Sequence, residues 1–235
     1  MTEEIDAGKH FDFITRVMKE NENFLLENAG ETYDEVVSLI NDAIDYIGFS
    51  VKGEKSKENY VRYSTVFFIH HILMPSSYAI QTDLLTGNLP ACFMQLRLML
   101  ESLTKCYHAD LKYPDKTTIR EKPELLEKEL EREPKSTSKL MKELGGELGL
   151  KNDDFVALWG KLSQDWVHTK GVVNRIVKEI TEKSPAPSWT FIIPIKYIET
   201  DLDAIEELGK HISQFRNLLK VTIENYKQEF RFEEV

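Results

Sequence analysis

Arg97, Glu101, Thr104 and His108 recur three and four residues apart within "NLPACFMQLRLMLESLTKCYHADLKYP", residues 88–114. On a helix turning about 100° per residue they fall within roughly 60° of one another. They make one polar stripe on an otherwise apolar rod, and two readings are open. In the plainer one the stripe meets solvent, with Arg97 and Glu101 as an i,i+4 ion pair. In the other it lines a cleft. A guanidinium there grips phosphate or carboxylate with its planar fork, and a histidine moves a proton near neutral pH. A helix interior seldom tolerates such a row without pairing or use.

A second stretch, "LSQDWVHTKG" (162–171), holds Ser163, Trp166 and His168. On an ideal helix His168 falls beside Gln164 and Lys161, on the polar side. It also sits in a last turn that Gly171 can close, where the helix dipole favours a cation. That accounts for His168 structurally. The functional reading brings it next to Arg97 and Glu101, as a proton carrier or a contact to a bound anion. Ser163 is five residues from His168, so the two do not share a helical face. A serine hydrolase triad is therefore rejected. The six histidines (10, 70, 71, 108, 168 and 211) form no His-x-x-x-His or Glu-x-x-His pair, and Cys-x-x-Cys is absent. No metal and no cofactor is expected. Phosphate-binding glycine loops, dinucleotide fingerprints and kinase motifs are also missing.

The elements that must position these residues are helices. Helical spacing predicts one over about 4–28. A second follows the Thr32/Glu35 capping-box spacing and ends near Gly48. A third runs from about Ser56 past His71 until Pro75 kinks or breaks it. Asn88 and Pro90 open the central helix, and Pro114 ends it. Residues 115–150 are dense in Glu and Lys, with Pro123, Pro134 and the Gly145-Gly146 pair. They read as two short exposed helices, an excursion or insertion within one domain. Phe155, Leu158, Leu162 and Trp166 stripe the next helix. Residues 184–198, "SPAPSWTFIIPIKYI", read as extended chain packed over the bundle. Thr200 and Asp203 then cap a last helix reaching about Phe230. Its stripe of Ile205, Leu208, Ile212, Phe215, Leu219 and Tyr226 is interrupted by Thr222. Such a stripe packs within the chain or across a dimer. The fold class is all-α: a single-domain bundle of six to eight helices spanning 1–235.

With 41% apolar and 30% charged residues, the chain has the composition of a globular protein. Forty acidic against 30 basic residues give a net charge of −10, which opposes non-specific binding to DNA, RNA or anionic membranes. The most apolar run, "VFFIHHILM" (66–74), is far short of the roughly 20 residues a membrane span needs. The opening "MTEEIDAGKHFDF" lacks the apolar core of a signal peptide. Cys92 and Cys106, on one helix, stand about 21 Å apart, beyond disulfide reach. A cytoplasmic protein with reduced thiols is expected.

"LLTGNLPACFMQLRLMLESLTKCYHADL" and "LWGKLSQDWVHTKG" together resemble a group of uncharacterised prokaryotic helical proteins. Those carry an Arg-x-x-x-Glu, here Arg97 and Glu101, and a later Ser-x-x-x-x-His, here Ser163 and His168. That group is similar in turn to HEPN-type helical domains of RNases, toxins and defence systems. The resemblance covers about a fifth of the chain. It implies an all-helical fold, a homodimer, and a polar pocket near Arg97, Glu101 and His168. The Arg-to-His pair of HEPN ribonucleases is absent, so their nuclease activity is not carried over. Two functions stand open. One is an RNA- or nucleotide-directed domain in which Arg97 contacts phosphate, Glu101 orients it, and His168 or His108 does acid–base work. The other is a non-catalytic helical interaction or dimeric scaffold module.

Overall fold

The structure is a computed structural model that describes residues 7–50, 56–116, 121–132, 137–150, 154–167 and 194–230. Among them every regular element is helical and no strand occurs, so the chain is an all-α bundle. They make nine helical rods rather than six to eight, partly because a break at Tyr63 splits the rod expected from Ser56 onward. In chain order the α-helices are α1 (Ala7–Asn28), α2 (Gly30–Ser50), α3 (Ser56–Arg62), α4 (Ser64–Phe68), α5 (Met74–Leu85) and α6 (Leu89–Lys112). They continue with α7 (Glu121–Arg132), α8 (Thr137–Glu147), α9 (Asp154–Lys161) and α10 (Leu202–Glu229). A π-helical turn, Ile69–Leu73, joins α4 to α5, and a second, Leu162–Val167, prolongs α9.

Helix α6 is the axis. It packs against α4, α5, α7, α8, α9 and α10. Leu96, Leu100 and Leu103 are fully buried on it and Tyr107 nearly so, as its near-continuous apolar sequence requires. One face departs from that pattern: Met94 is 54% and Leu98 48% exposed. The stripe of α10, from Ile205 to Tyr226, is buried inside the chain against α2 and α6. It therefore offers no surface to a second copy. Thr222 fits the stripe because its hydroxyl donates to the Leu218 carbonyl one turn back, at 2.7 Å.

Several local expectations are corrected by the structure. Thr32 is not a helix cap: α2 already begins at Gly30, and the Thr32 hydroxyl donates to the Ile205 carbonyl of α10, 3.2 Å away. The two helices cross so closely there that a Cβ on Gly209 would stand 2.4 Å from Thr32 Oγ1. Glu35, the other half of the expected box, instead pairs with Arg216 of α10 at 2.7 Å. Helix α2 also runs past Gly48 to Ser50. At the start of α10, Asp201 rather than Thr200 or Asp203 takes the free amide, accepting from Ile198 N at 2.9 Å. Of the kink or break expected at Pro75, the break does not occur, and the rod continues through a π-helical turn. Met74 N–H donates to Ile69 O, five residues back. This wider turn lies immediately before the proline, where an α-helical turn would press its ring against the preceding carbonyl.

Stop signals behave as glycine chemistry dictates. Gly87 (φ 77°) and Gly149 (φ 64°) end α5 and α8 in the left-handed region. After each, the next amide bonds a carbonyl five residues back, Asn88 to Asp83 and Leu150 to Gly145. Gly145 and Gly146 lie inside α8, near its end. Of the segment expected to be extended, residues 194–198 are described and are non-helical, while 184–193 lie outside the described residues. Asn21, fully buried on α1, fastens this piece. Its amide donates to Leu85 O and Ile195 O at 2.9 and 2.8 Å, and its carbonyl accepts from Tyr197 N at 2.9 Å. Tyr197 buries its ring and donates its hydroxyl to Leu84 O at 2.8 Å. Among the described residues no helix is long and apolar enough to cross a membrane.

Candidate functional site

Arg97 and Glu101 meet one turn apart, as their spacing requires, with Arg97 Nε donating to Glu101 Oε1 at 2.8 Å. A third residue completes the group. Trp159 of α9 donates its indole N–H to the same oxygen at 2.6 Å, and its ring lies 5.4 Å from the guanidinium carbon of Arg97. The two charged side chains keep about a fifth to a quarter of their surface in solvent, 21% and 25%. With Nε committed to Glu101 and the guanidinium set over the indole, the Nη edge has no partner among the described residues.

Burial works against the charged form of Glu101. The hydrogen bonds from Trp159 and Arg97, with the charge of Arg97, outweigh it and hold the carboxyl below its ordinary pKa. Glu101 is therefore an anion at neutral pH and orients Arg97; it has no proton to give. The group can hold an anion at the Nη edge or an aromatic or apolar surface beside it. Sequence reasoning missed Trp159, which lies one residue past Leu158 and off the core stripe. A half-buried indole needs an acceptor for its N–H, and that need was the available signal.

The rest of the stripe turns inward. Thr104 is fully buried and donates to Leu100 O at 2.9 Å. His108 is 8% exposed, with Nε2 2.8 Å from the Leu140 carbonyl of α8. A carbonyl only accepts, so Nε2 carries the proton and is committed to a structural bond. Ser163 lies in the second π turn, 2% exposed, and its hydroxyl has no hydrogen-bond partner among the described residues. Nearby in sequence, Trp166 stacks on Phe93 with ring centroids 3.6 Å apart. His168 lies outside the described residues. The structure thus brings Arg97 and Glu101 together with Trp159, and sets His108 apart from them in the core between α6 and α8.

Two further polar groups were not anticipated. Asp110, with no exposure, accepts four bonds. Ser64 N (2.8 Å) and Lys122 Nζ (2.9 Å) reach Oδ1, and Thr65 N (2.8 Å) and Tyr226 Oη (3.0 Å) reach Oδ2. The carboxylate caps the amides that open α4, where the helix dipole favours a negative charge. Lys122 is equally buried, 5.4 Å from the centre of the Tyr63 ring. This hub is closed to solvent and reads as architecture. At the first π turn, the buried Ser50 has its Oγ 2.8 Å from His70 Nε2, and Tyr60 Oη bonds His71 Nε2. Burial, then the neighbouring His71, lowers the pKa of His70. Among the described residues no three His, Cys, Asp or Glu side chains are placed to hold a metal ion. Compared with family models, with curated proteins and with solved structures, the chain matches none.

Proposed function

We propose that this chain is a non-catalytic helical interaction module, HEPN-like in kind, that pairs with a second copy of itself through the exposed face of α6. The observation that carries this reading is the Met94 and Leu98 pair, which stays about half exposed on a helix otherwise built for burial. Arg97, three residues after Met94 and directly before Leu98, has its guanidinium already fixed by Glu101 and Trp159. Methionine, tryptophan and arginine around a small apolar patch are the side chains that dominate protein interfaces. Pre-set geometry lowers the entropy cost of engaging them. Glu101 is ionised and has no proton to give, its Oε1 already accepts from Arg97 and Trp159, and His108 is committed to Leu140. The test is the solution mass by light scattering at micromolar concentration, for the wild type and for Met94→Asp/Leu98→Asp. A dimer that the double variant reduces to a monomer is expected. A monomeric wild type sinks the reading.

One observation favours a second reading, in which a nucleotide or RNA phosphate seats on the Nη edge of Arg97. That edge has no partner among the described residues and is aimed by the bond from Nε to Glu101. Titrating AMP and a short single-stranded RNA while following the Trp159 indole N–H resonance tests it. Saturable shifts that vanish in Arg97→Ala support it, and silence at millimolar ligand removes it.

A further inference from the structure

A cavity of about 160 Å³, open to solvent on one side, lies between α6 and α7, with α4 and the π turn after it as its third wall. Its wall is largely apolar: Cys106 and Ala109 of α6, Ile72 of the π turn, and Leu126 of α7. Lys105 and Glu127 are the charged lining residues, and both are exposed. A largely apolar hollow of about this size is large enough to take a small aromatic such as benzene. Two serines interrupt the apolar wall, Ser64 of α4 and the half-buried Ser102 of α6. Ser64 is 1% exposed, and its hydroxyl has no hydrogen-bond partner among the described residues. Its backbone amide is already committed to Asp110, which fixes where the side chain stands. An unmet buried hydroxyl costs free energy that a partner inside the cavity would recover.

We propose that this cavity is a binding site for a small, mostly apolar molecule bearing one hydroxyl or carbonyl group, whose polar atom pairs with the Ser64 hydroxyl. The Cys106 thiol beside it serves as soft wall and not as nucleophile. Burial, with the charge of Asp110 behind it, pushes its pKa up to about 12. Helix α7 forms the outer side and is pinned by the buried Lys122–Asp110 pair. The site shares no lining residue with the α6 patch, so either can fail without the other.

Phenol and benzene are the probes, because they differ by one hydroxyl. Both are expected to shift the backbone amide resonances of Cys106, Ala109 and Leu126. Phenol should half-saturate at about a five-fold lower concentration, the worth of one hydrogen bond. Ser64→Ala removes an unpaired hydroxyl, so its thermal midpoint should hold or rise, while the two probes become equal. Cys106→Met fills the space and should lose both. Absence of any shift up to the solubility of the probes overturns the proposal. So does a phenol preference that survives Ser64→Ala, or a Cys106→Met variant that folds and binds like the wild type. Should Cys106→Met not fold, the Ser64→Ala comparison decides alone.

Discussion

Lys122 Nζ lies 2.9 Å from Asp110 Oδ1, and neither side chain reaches solvent. The pair ties α7, from the charged stretch, to the core of the bundle, where the same carboxylate caps α4 and meets Tyr226 of α10.

Removing one member of such a pair leaves a buried charge uncompensated. Lys122→Met is therefore expected to cost about 3–5 kcal/mol of stability, and Asp110→Asn a similar amount. The double variant should lose clearly less than the sum, because the two share one interaction. Urea denaturation of the three variants checks this; additive losses would show that the pair is not coupled.

Glu101 gives a pH signature. Its carboxyl sits below its ordinary pKa in the folded protein, so its contribution is complete above the unfolded value and is lost as pH falls through the folded one. The stability advantage of wild type over Glu101→Gln should be flat above about pH 5 and shrink below about pH 4. Denaturation midpoints measured across that window check the sign.

Leu100 is fully buried on α6, and Leu100→Ala should cost about 2–5 kcal/mol. An unchanged denaturation midpoint would place α6 at the periphery.

Gly209→Ala tests the crossing of α2 and α10. The added Cβ would lie 2.4 Å from Thr32 Oγ1 and 3.1 Å from Thr32 Cα, so backbone as well as side chain must move. A loss of about 1–3 kcal/mol is expected. Thr32→Ala should recover part of it by removing the nearest atom.

Asn21→Ala should release residues 194–198 while leaving the bundle folded. It removes both donors to the Leu85 and Ile195 carbonyls and the acceptor of Tyr197 N–H. Hydrogen exchange at Tyr197 should accelerate by orders of magnitude, with amides of α6 unchanged.

Helix α6 was legible in the sequence because its information is local: Pro90 in the first turn, apolar residues almost throughout, Pro114 beyond the end. The Arg97–Glu101 pair was legible for the same reason, since one turn separates its members. Trp159 was not, because its acceptor is 58 residues away. Lys122 and Asp110 were hidden more deeply. Lys122 opens a helix crowded with Glu and Lys, and its face is marked as inward only by Leu125 and Leu126, three and four residues on. Only the position of α7 over α6 decides that this one lysine is inside. Thr32 and Glu35 had the spacing of a cap, and α10 claimed both side chains across 173 and 181 residues. Contacts of that range follow from how the rods dock, which the periodicity of each rod leaves open.

The turn Ile69–Leu73 has the geometry of a helix that holds one residue more than its pitch accommodates. Each α-helical residue advances the side chains by about 100°, so the surplus sets the rotational phase of all of α5 relative to α4. Deleting one residue from this turn would restore an ordinary pitch. It would also swing Ile80 and Leu84, both fully buried, out of the core. Replacing Pro75 alone would remove the ring but not the surplus. The bulge should therefore persist in Pro75→Ala, held by the packing downstream.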